Sequence, residues 1–320
     1  VDRPGALARL RAALAGFATE HLPGGDAWCV ALSGGPDSLA LTAAAAALRP
    51  TTALIVDHGL QSGSADVADA ARRAALELGC SEATVLTVHV GTRGGPEAAA
   101  RTARYAALDS ARGGAPVLVG HTLDDQAETV LLGLGRGSGA RSIAGMRVCD
   151  PPWYRPWLGQ RRSLTRAACT ELGLAPWDDP HNHDARFTRV RLRTEVLPLL
   201  EDVLGGGVAE ALARTAGALR EDTEALDALA DAALAAALDG DGLSVAALSG
   251  LATAVRRRVL RGWLLRGGAS GLTETQIRAV DALVTAWHGQ GGAAVSADLP
   301  HQRLFAGRRD GRLVLYARPV

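Results

Sequence analysis

The sequence predicts an α/β protein in which a parallel sheet covered by helices on both faces is followed by a smaller, mainly helical domain. Three observations lead there. Through the first two thirds of the chain, short apolar runs alternate with Ala/Leu-rich stretches, the pattern of strands buried on both sides of a parallel sheet. The first such run, Cys29-Val30-Ala31-Leu32, leads directly into Ser33-Gly34-Gly35-Pro36-Asp37-Ser38 and then a helix. Near residue 215 the alternation gives way to helical periodicity, which places domains at 1–215 and 216–320.

An amphipathic helix over 6–17 opens the first domain, followed by a strand at 28–32 and a helix over 38–48. The unit repeats as strand 52–56 (Thr52-Ala53-Leu54-Ile55-Val56), helix 64–78, strand 84–88, helix 96–112, strand 116–120 and helix 125–134. In the second domain the pattern predicts helices over 209–237, 245–266 and 273–287, then a short hairpin pairing 312–316 with the region 302–306. Val255, Val259 and Trp263 recur at four-residue steps and are read as the packed face of their helix.

The chain has 320 residues, of which 48% are hydrophobic and only 4% aromatic, so its core is built of Ala, Leu and Val. All 34 Lys+Arg residues are arginine. The absence of lysine excludes a Walker A loop, a Schiff-base enzyme and an enzyme adenylated on its own lysine, and leaves phosphate recognition to guanidinium forks. Cys29, Cys80, Cys149 and Cys169 form no CxxC pair, against a metal cluster, a redox dithiol or a disulfide framework. No signal pattern or uncharged membrane-length stretch occurs, so a cytoplasmic location without membrane association is expected. Net charge is zero but unevenly spread: residues 201–244 hold ten acids against Arg214 and Arg220, whereas 245–320 hold eleven arginines against four acids. The run Arg256-Arg257-Arg258 reads equally well as a grip on RNA phosphates or as a solvated face.

Ser33 to Ser38 reads as a pyrophosphate pocket. Adjacent glycines turn backbone N–H groups inward, and Ser33 and Ser38 add hydroxyls at the mouth of the next helix. Asp37 beside a triphosphate predicts a divalent cation, Mg²⁺, between them. Two further polar clusters end strands, Asp57-His58-Gly59 and His121-Thr122-Leu123-Asp124-Asp125 with Glu128 beyond, and ligands of such sheets sit at those carboxyl ends beside a reversal in strand order. His121, Asp125 and Glu128, spaced four and three, share one face if the helix has begun, and suit either a metal or, by preference, a cationic amine nucleophile. Arg101 and Arg104 either reach phosphates or form a solvated face, and Gly133 to Gly139 is a second glycine-rich stretch or a hinge. Residues 153–193 carry eight arginines against four acids, with Trp153, Tyr154, Trp157 and Trp177 either supporting a base or packing the domain edge.

Ser33-Gly34-Gly35-Pro36-Asp37-Ser38 resembles the PP-loop of the N-type ATP pyrophosphatases, which split ATP to AMP and pyrophosphate. Val56-Asp57-His58-Gly59-Leu60, Gly120-His121-Thr122-Leu123-Asp124-Asp125-Gln126-Ala127-Glu128-Thr129 and Arg136-Gly137-Ser138-Gly139 narrow the resemblance to the tRNA(Ile)-lysidine synthase family. Gly145-Met146, Tyr154-Arg155-Pro156-Trp157-Leu158, Asp179-Pro180-His181-Asn182-His183-Asp184 and Phe187-Thr188-Arg189-Val190-Arg191-Leu192-Arg193 continue it, over about residues 30–200. The resemblance implies a Rossmann-like sheet of the adenine nucleotide α-hydrolase type and an ATP-dependent carbon–nitrogen ligase. Its substrates would be the wobble cytidine of tRNA(Ile) with a CAU anticodon, ATP with Mg²⁺, and L-lysine. Ser33, Gly34, Gly35, Pro36, Asp37, Ser38, Val56, Asp57, His58, Arg104, Gly120 and Arg136 are then expected at the nucleotide, with Asp37 also at the metal. His121, Asp125 and Glu128 are expected to hold lysine, and Arg104, Arg189 and Arg193 to neutralise phosphate or hold the adenylated base. Val190 departs from the family, which carries Asn after the first arginine of that segment. The resemblance admits a homodimer, and the large third domain of longer members is not expected. The alternatives are a PP-loop tRNA cytidine thiolase, disfavoured by the scattered cysteines, and a small-molecule ATP-dependent amidating enzyme.

Overall fold

The computed structural model describes residues 4–59, 63–91, 95–137 and 139–319, in two compact units, Val1–Gly217 and Ala218–Val320. In chain order the first contains α1 (Ala6–His21), β1 (Trp28–Leu32), α2 (Pro36–Ala46), β2 (Thr51–Asp57), α3 (Ser64–Glu77), β3 (Glu82–Thr87), α4 (Pro96–Ala111), β4 (Val117–Val119) and α5 (Leu123–Gly135). It continues with α6 (Ala140–Ile143), β5 (Cys149–Asp150), β6 (Trp153–Tyr154), α7 (Arg162–Glu171), α8 (Thr188–Arg191), α9 (Leu197–Val203) and the start of α10 (Val208–Ala237).

The sheet order is β3-β2-β1-β4-β6-β5, parallel except for the antiparallel edge strand β5. Val30 of β1 lies opposite Ala53 on one side and Leu118 on the other, all three fully buried. Successive strand residues face opposite layers. Val30 and Leu32 pack with Leu10 and Leu14 of α1, Leu39 and Leu41 of α2, and Ala168 of α7, whereas Cys29, Leu54 and Val117 pack with Leu108 of α4. β1 is the strand at which the order reverses: the chain moves outward through β2 and β3, then returns to add β4 on its other side. The ends of β1 and β4 therefore open on a shared crevice, where such folds bind ligands.

The second unit takes the rest of α10, then β7 (Leu238–Asp239), β8 (Gly242–Ser244), α11 (Val245–Ser249), α12 (Thr253–Arg266), α13 (Glu274–Thr285), β9 (Ala293–Val295), β10 (Gln302–Arg309) and β11 (Arg312–Pro319). The hairpin expected from the sequence is the centre of a five-stranded antiparallel sheet, ordered β7-β8-β11-β10-β9. Its buried face (Leu304, Ala306, Leu313) packs with Val259, Leu260 and Trp263 of α12 and Ile277, Val280 and Leu283 of α13. The single helix expected over 245–266 is two, because Gly250 caps α11 and the chain turns before α12. Arg256, expected on a phosphate-gripping or solvated face, is 6% exposed and donates to Asp281 Oδ1 at 2.6 Å. Arg257 meets the same carboxylate at 3.1 Å and Arg258 meets Asp227 at 2.9 Å, so the run is spent inside the unit. No described helix is long and apolar enough to cross a membrane.

Candidate active site

The turn after β1 is set by two local constraints. Gly34 has φ +81°, a conformation a side chain resists, and Pro36 occupies the first turn of α2, where its missing N–H costs nothing. Ser38 is buried and ties the turn together: its hydroxyl accepts the Ser33 N–H at 3.2 Å, donates to the Gly35 carbonyl at 3.0 Å and lies 3.1 Å from Ser33 Oγ. The Trp177 N–H donates to the Gly34 carbonyl at 3.0 Å, so the segment 174–179 braces the loop from outside. No side chain caps α2, leaving its first N–H groups directed into the crevice, an anion site by dipole and by hydrogen bonding. Gly120, at the end of β4, passes so close that a Cβ there would sit 3.1 Å from the Asp37 carbonyl carbon and oxygen.

A charge cluster stands beside this loop. Arg162, the first residue of α7, is only 11% exposed, and its guanidinium reaches Asp37 at 3.4 Å, Asp125 at 2.5 Å and Glu128 at 3.3 Å. Its backbone N–H donates to Asp124 Oδ2 at 2.7 Å. The Thr165 hydroxyl, one turn along α7, donates to Asp37 Oδ1. Arg193 holds Glu128 through Nε at 2.8 Å, and Arg189 approaches Glu128 at 3.9 Å and Thr129 at 3.4 Å. Arg193 lies in a π-helical turn, Leu192–Val196, that follows α8, the kind of helix irregularity found often at functional sites. Asp37, Asp125 and Glu128 thus face the guanidiniums of Arg162, Arg189 and Arg193.

Burial and pairing pull its titrations apart. Burial raises the Asp37 carboxyl above its ordinary value, more than the Thr165 hydrogen bond and Arg162 lower it. Burial also opposes ionisation of Asp125, but Arg162, the Thr122 N–H and His121 together hold that carboxyl below the usual range. Arg162 is disfavoured by burial yet held above its ordinary value by Asp125, Glu128 and Asp37. His121 is pushed down to about 4, chiefly by burial and then by Arg155, Arg101 and Arg189, so its ring is neutral at physiological pH. Its Nδ1 is buried and has no hydrogen-bond partner.

The helix carrying Asp125 and Glu128 begins two residues earlier than expected, at Leu123, because Thr122 is its cap. Asp125 is the reciprocal member of that capping box, its Oδ2 accepting the Thr122 N–H at 2.8 Å. His121 consequently precedes the helix and does not share its face with Asp125 and Glu128. At the β2 end, Asp57 Oδ1 accepts the Gly59 N–H at 2.9 Å, and Arg104 donates Nε–H to His58 Nε2 at 3.4 Å. Val56 is half-buried beside them. Burial, followed by Arg104, lowers His58 below its ordinary value. Arg136 caps the far end of α5, about 16 Å along the axis from Asp125 at 1.5 Å per residue. Leu60 and Ser138, quoted for the resemblance, lie outside the described residues. Val190 is buried, 8% exposed, on the inward side of α8.

Arg162 and Thr165 were not singled out as site residues from the sequence, and Trp177, read there as support for a base or as packing of the domain edge, meets the loop through its backbone N–H. The arginine-rich stretch 153–193 signalled cations there but not which of Arg161 and Arg162 points inward. Arg161 in fact turns away to Asp124, Glu201 and Glu210 at 3.4–3.7 Å.

A parallel sheet with an uncapped helix N-terminus and a Ser-Gly-Gly-Pro-Asp-Ser turn at its switch point defines a nucleotide-binding domain of the PP-loop class. Residues 9–200 match the PP-loop domain family, and residues 243–314 match the TilS substrate binding domain. The chain is 70% identical over 320 residues to the tRNA(Ile)-lysidine synthase of Mycolicibacterium paratuberculosis, covering 100% of both chains. It is 69% identical over 324 residues to that of Mycobacterium tuberculosis, and 65% identical over 323 residues to that of Mycobacterium leprae, again covering 100% of each. The chain belongs to the tRNA(Ile)-lysidine synthase family. Among solved structures, the U34-tRNA thiolase NcsA from Methanococcus maripaludis shares the fold with a TM-score of 0.55 at 18% identity, covering 68% of this chain and 80% of that one.

Proposed function

We propose that the chain converts the wobble cytidine of tRNA(Ile) with a CAU anticodon into lysidine, consuming ATP and L-lysine, in the cytoplasm. The carrying observation is the PP-loop turn set at the β1/β4 switch point against the buried Asp37–Arg162–Asp125–Glu128 cluster. The chemistry needs both parts. Cytosine C2 is a poor electrophile while O2 must leave as an oxide. Attack of O2 on the α-phosphorus expels pyrophosphate and makes that oxygen part of an AMP leaving group. The lysine Nζ then attacks C2, the C2–O2 bond breaks, AMP departs and the ammonium proton is released.

The Ser33 and Ser38 hydroxyls and the N-terminal N–H groups of α2 are suited to departing pyrophosphate. Among the described residues no group of three or more His, Cys, Asp or Glu is arranged to hold a metal ion. Mg²⁺ therefore fits as part of an MgATP substrate, taking Asp37 as its protein ligand and phosphate oxygens and water for the rest. Asp125 and Glu128, the carboxylates held by Arg162 and Arg193, form the slot for the lysine ammonium. Asp125, held ionised, is a holder of charge and a weak base. His121, pushed down to about 4, is likewise a weak base, and its open buried Nδ1 is suited to accepting a hydrogen bond that orients the amine.

The test is to incubate the protein with ATP, Mg²⁺, labelled L-lysine and tRNA transcripts bearing either CAU or a mismatched anticodon. Label confined to the CAU transcript, with one AMP released per lysine attached, is expected. AMP release without lysine transfer would assign the loop to a different nucleophile and overturn the proposal.

A further inference from the structure

The outer face of the C-terminal sheet carries four cross-strand pairs: Arg303 opposite Arg318, Phe305 opposite Tyr316, Gly307 opposite Val314, and Arg309 opposite Arg312. The intervening residues Leu304, Ala306 and Leu313 point the other way, into the core. In a chain with only three Phe and three Tyr, one of each stands on this outer face. Their rings are stacked at 5.6 Å with 12° between planes. The sheet is shaped to let Tyr316 lie down. A Cβ on Gly307 would come within 2.8 Å of its ring, and one on Gly292 within 2.3 Å of its hydroxyl. Guanidiniums flank the pair, Arg309 at 5.1 Å and Arg318 at 5.2 Å from the Tyr316 ring, and Arg318 at 5.7 Å from Phe305.

Two features distinguish this face from ordinary surface. Like charges directly opposite each other destabilise an antiparallel pair, and here two arginine pairs bracket the rings. Among the described residues, Arg303, Arg309 and Arg318 make no ion pair with a carboxylate, whereas Arg312 meets Asp239 at 3.5 Å. Arg309 lies six positions after Arg303, about 20 Å of strand at about 3.3 Å per residue. Cations at that spacing around an aromatic pair complement a polynucleotide, with phosphates on the guanidiniums and an exposed base or ribose on the rings.

We propose that this face is an RNA contact surface for the tRNA substrate, with Arg303, Arg309 and Arg318 taking backbone phosphates and Phe305 and Tyr316 a stacked nucleotide. The proposal rests on the tRNA-modifying function above. It goes beyond the match to a substrate binding domain by choosing the face and the residues, of which Tyr316 and Arg318 lie outside the matched range.

Two variants test it: the double substitution Arg309→Ser with Arg318→Ser, and Tyr316→Leu. Steady-state lysine transfer, tRNA binding between 50 and 200 mM salt, sedimentation and thermal melting are measured on each. The double variant is expected to raise the KM and Kd for tRNA about tenfold and to reduce the salt slope by about 1.5, two phosphates at roughly 0.7–0.9 each. Tyr316→Leu is expected to raise both about tenfold with the slope unchanged, since stacking releases no counterions. kcat, and the KM for ATP and lysine, are expected to stay at wild-type values. An unchanged tRNA KM in a double variant that melts normally overturns the proposal, as does a changed oligomeric state with unchanged tRNA KM, which would make the face a contact between copies. Wild-type protein that neither binds nor modifies tRNA would instead refute the underlying function.

Discussion

Replacing Arg162 by Met removes a guanidinium shared by three carboxylates while retaining an unbranched apolar stem. At an effective dielectric of about 20, each contact near 3.3 Å carries roughly 5 kcal/mol of attraction, most of it cancelled by the cost of desolvating the charges. What deletion exposes is the cost of stranding the partners, about 3–5 kcal/mol for a buried pair. Arg193 still holds Glu128 at 2.8 Å, so Asp125 and Asp37 are the stranded groups and the lower end, about 3 kcal/mol, applies. In a unit of this size that is a melting-temperature loss of roughly 6–12 °C at pH 7.5. The sign with pH follows from Asp125. In the wild type its lowered folded pKa contributes stability above the unfolded carboxyl value of about 4, lost only as pH falls through the folded value. Without Arg162, burial raises that carboxyl, and the folded variant takes up protons between pH 7 and 4 that the unfolded chain does not. The deficit should therefore be largest at pH 7.5 and shrink toward pH 4. Thermal melts followed by calorimetry across that range are the assay. A variant that melts within about 2 °C of wild type at pH 7.5, or whose deficit is undiminished at pH 4, refutes the shared-guanidinium account.

Four further outcomes are expected. Asp37→Asn should abolish tRNA-dependent pyrophosphate release yet leave the melting temperature unchanged or higher, because an acid with a raised folded pKa destabilises the protein once ionised; a clear fall in melting temperature would contradict that sign. Gly120→Ala should push the Asp37–Ser38 backbone outward and raise the KM for ATP about tenfold, a shift of about 1.4 kcal/mol; an unchanged KM would show that the two segments separate freely. His121→Gln should remove an acid liability of up to about 3 kcal/mol. A histidine held near 4 loses stability as pH falls from about 6.5 to 4, so the variant's stability curve should be flatter there, and a curve parallel to wild type would place the liability elsewhere. Arg256→Ala should destabilise the second unit by about 2 kcal/mol, because buried Asp281 loses one of its two guanidiniums and keeps Arg257 at 3.1 Å, with the tRNA KM unchanged in protein that remains folded; a raised KM would return Arg256 to RNA binding.

The sheet was legible because its evidence is local. β1 and the centre of β2, Ala53 to Val56, are unbroken apolar runs, and burial on both faces demands that composition. The two-residue strands β5 and β6 carry no such pattern, since two residues cannot show a period and their place in the sheet is decided by pairing with each other and with β4. The split of 245–266 was concealed for a related reason. Its apolar spacing is helical throughout, and only Gly250 together with the Arg256 bond to the Leu251 carbonyl reveals that the backbone leaves the helix between them.

The pyrophosphate loop was readable because glycine geometry and serine hydroxyls act within six residues. Charge compensation acts across the whole unit. Asp37 and Thr165 are 128 positions apart, and nothing near either in sequence indicates the other. Arginine illustrates the consequence most plainly, since this chain has no other fixed cation. Arg256, Arg257 and Arg258 look like an RNA grip and are consumed by Asp281 and Asp227, while Arg303, Arg309 and Arg318, dispersed along two strands, share one face, Arg309 and Arg318 over its aromatic rings, with no ion pair to an acid among the described residues. A run of like charges on one helix is divided among different helix faces, because neighbours are about 100° apart. Alternate residues on paired strands are gathered onto one face, because the side-chain period is two. Clustering in sequence and clustering in space are therefore opposed for these two sets, and it is the strand set that leaves its charge available to an anionic partner.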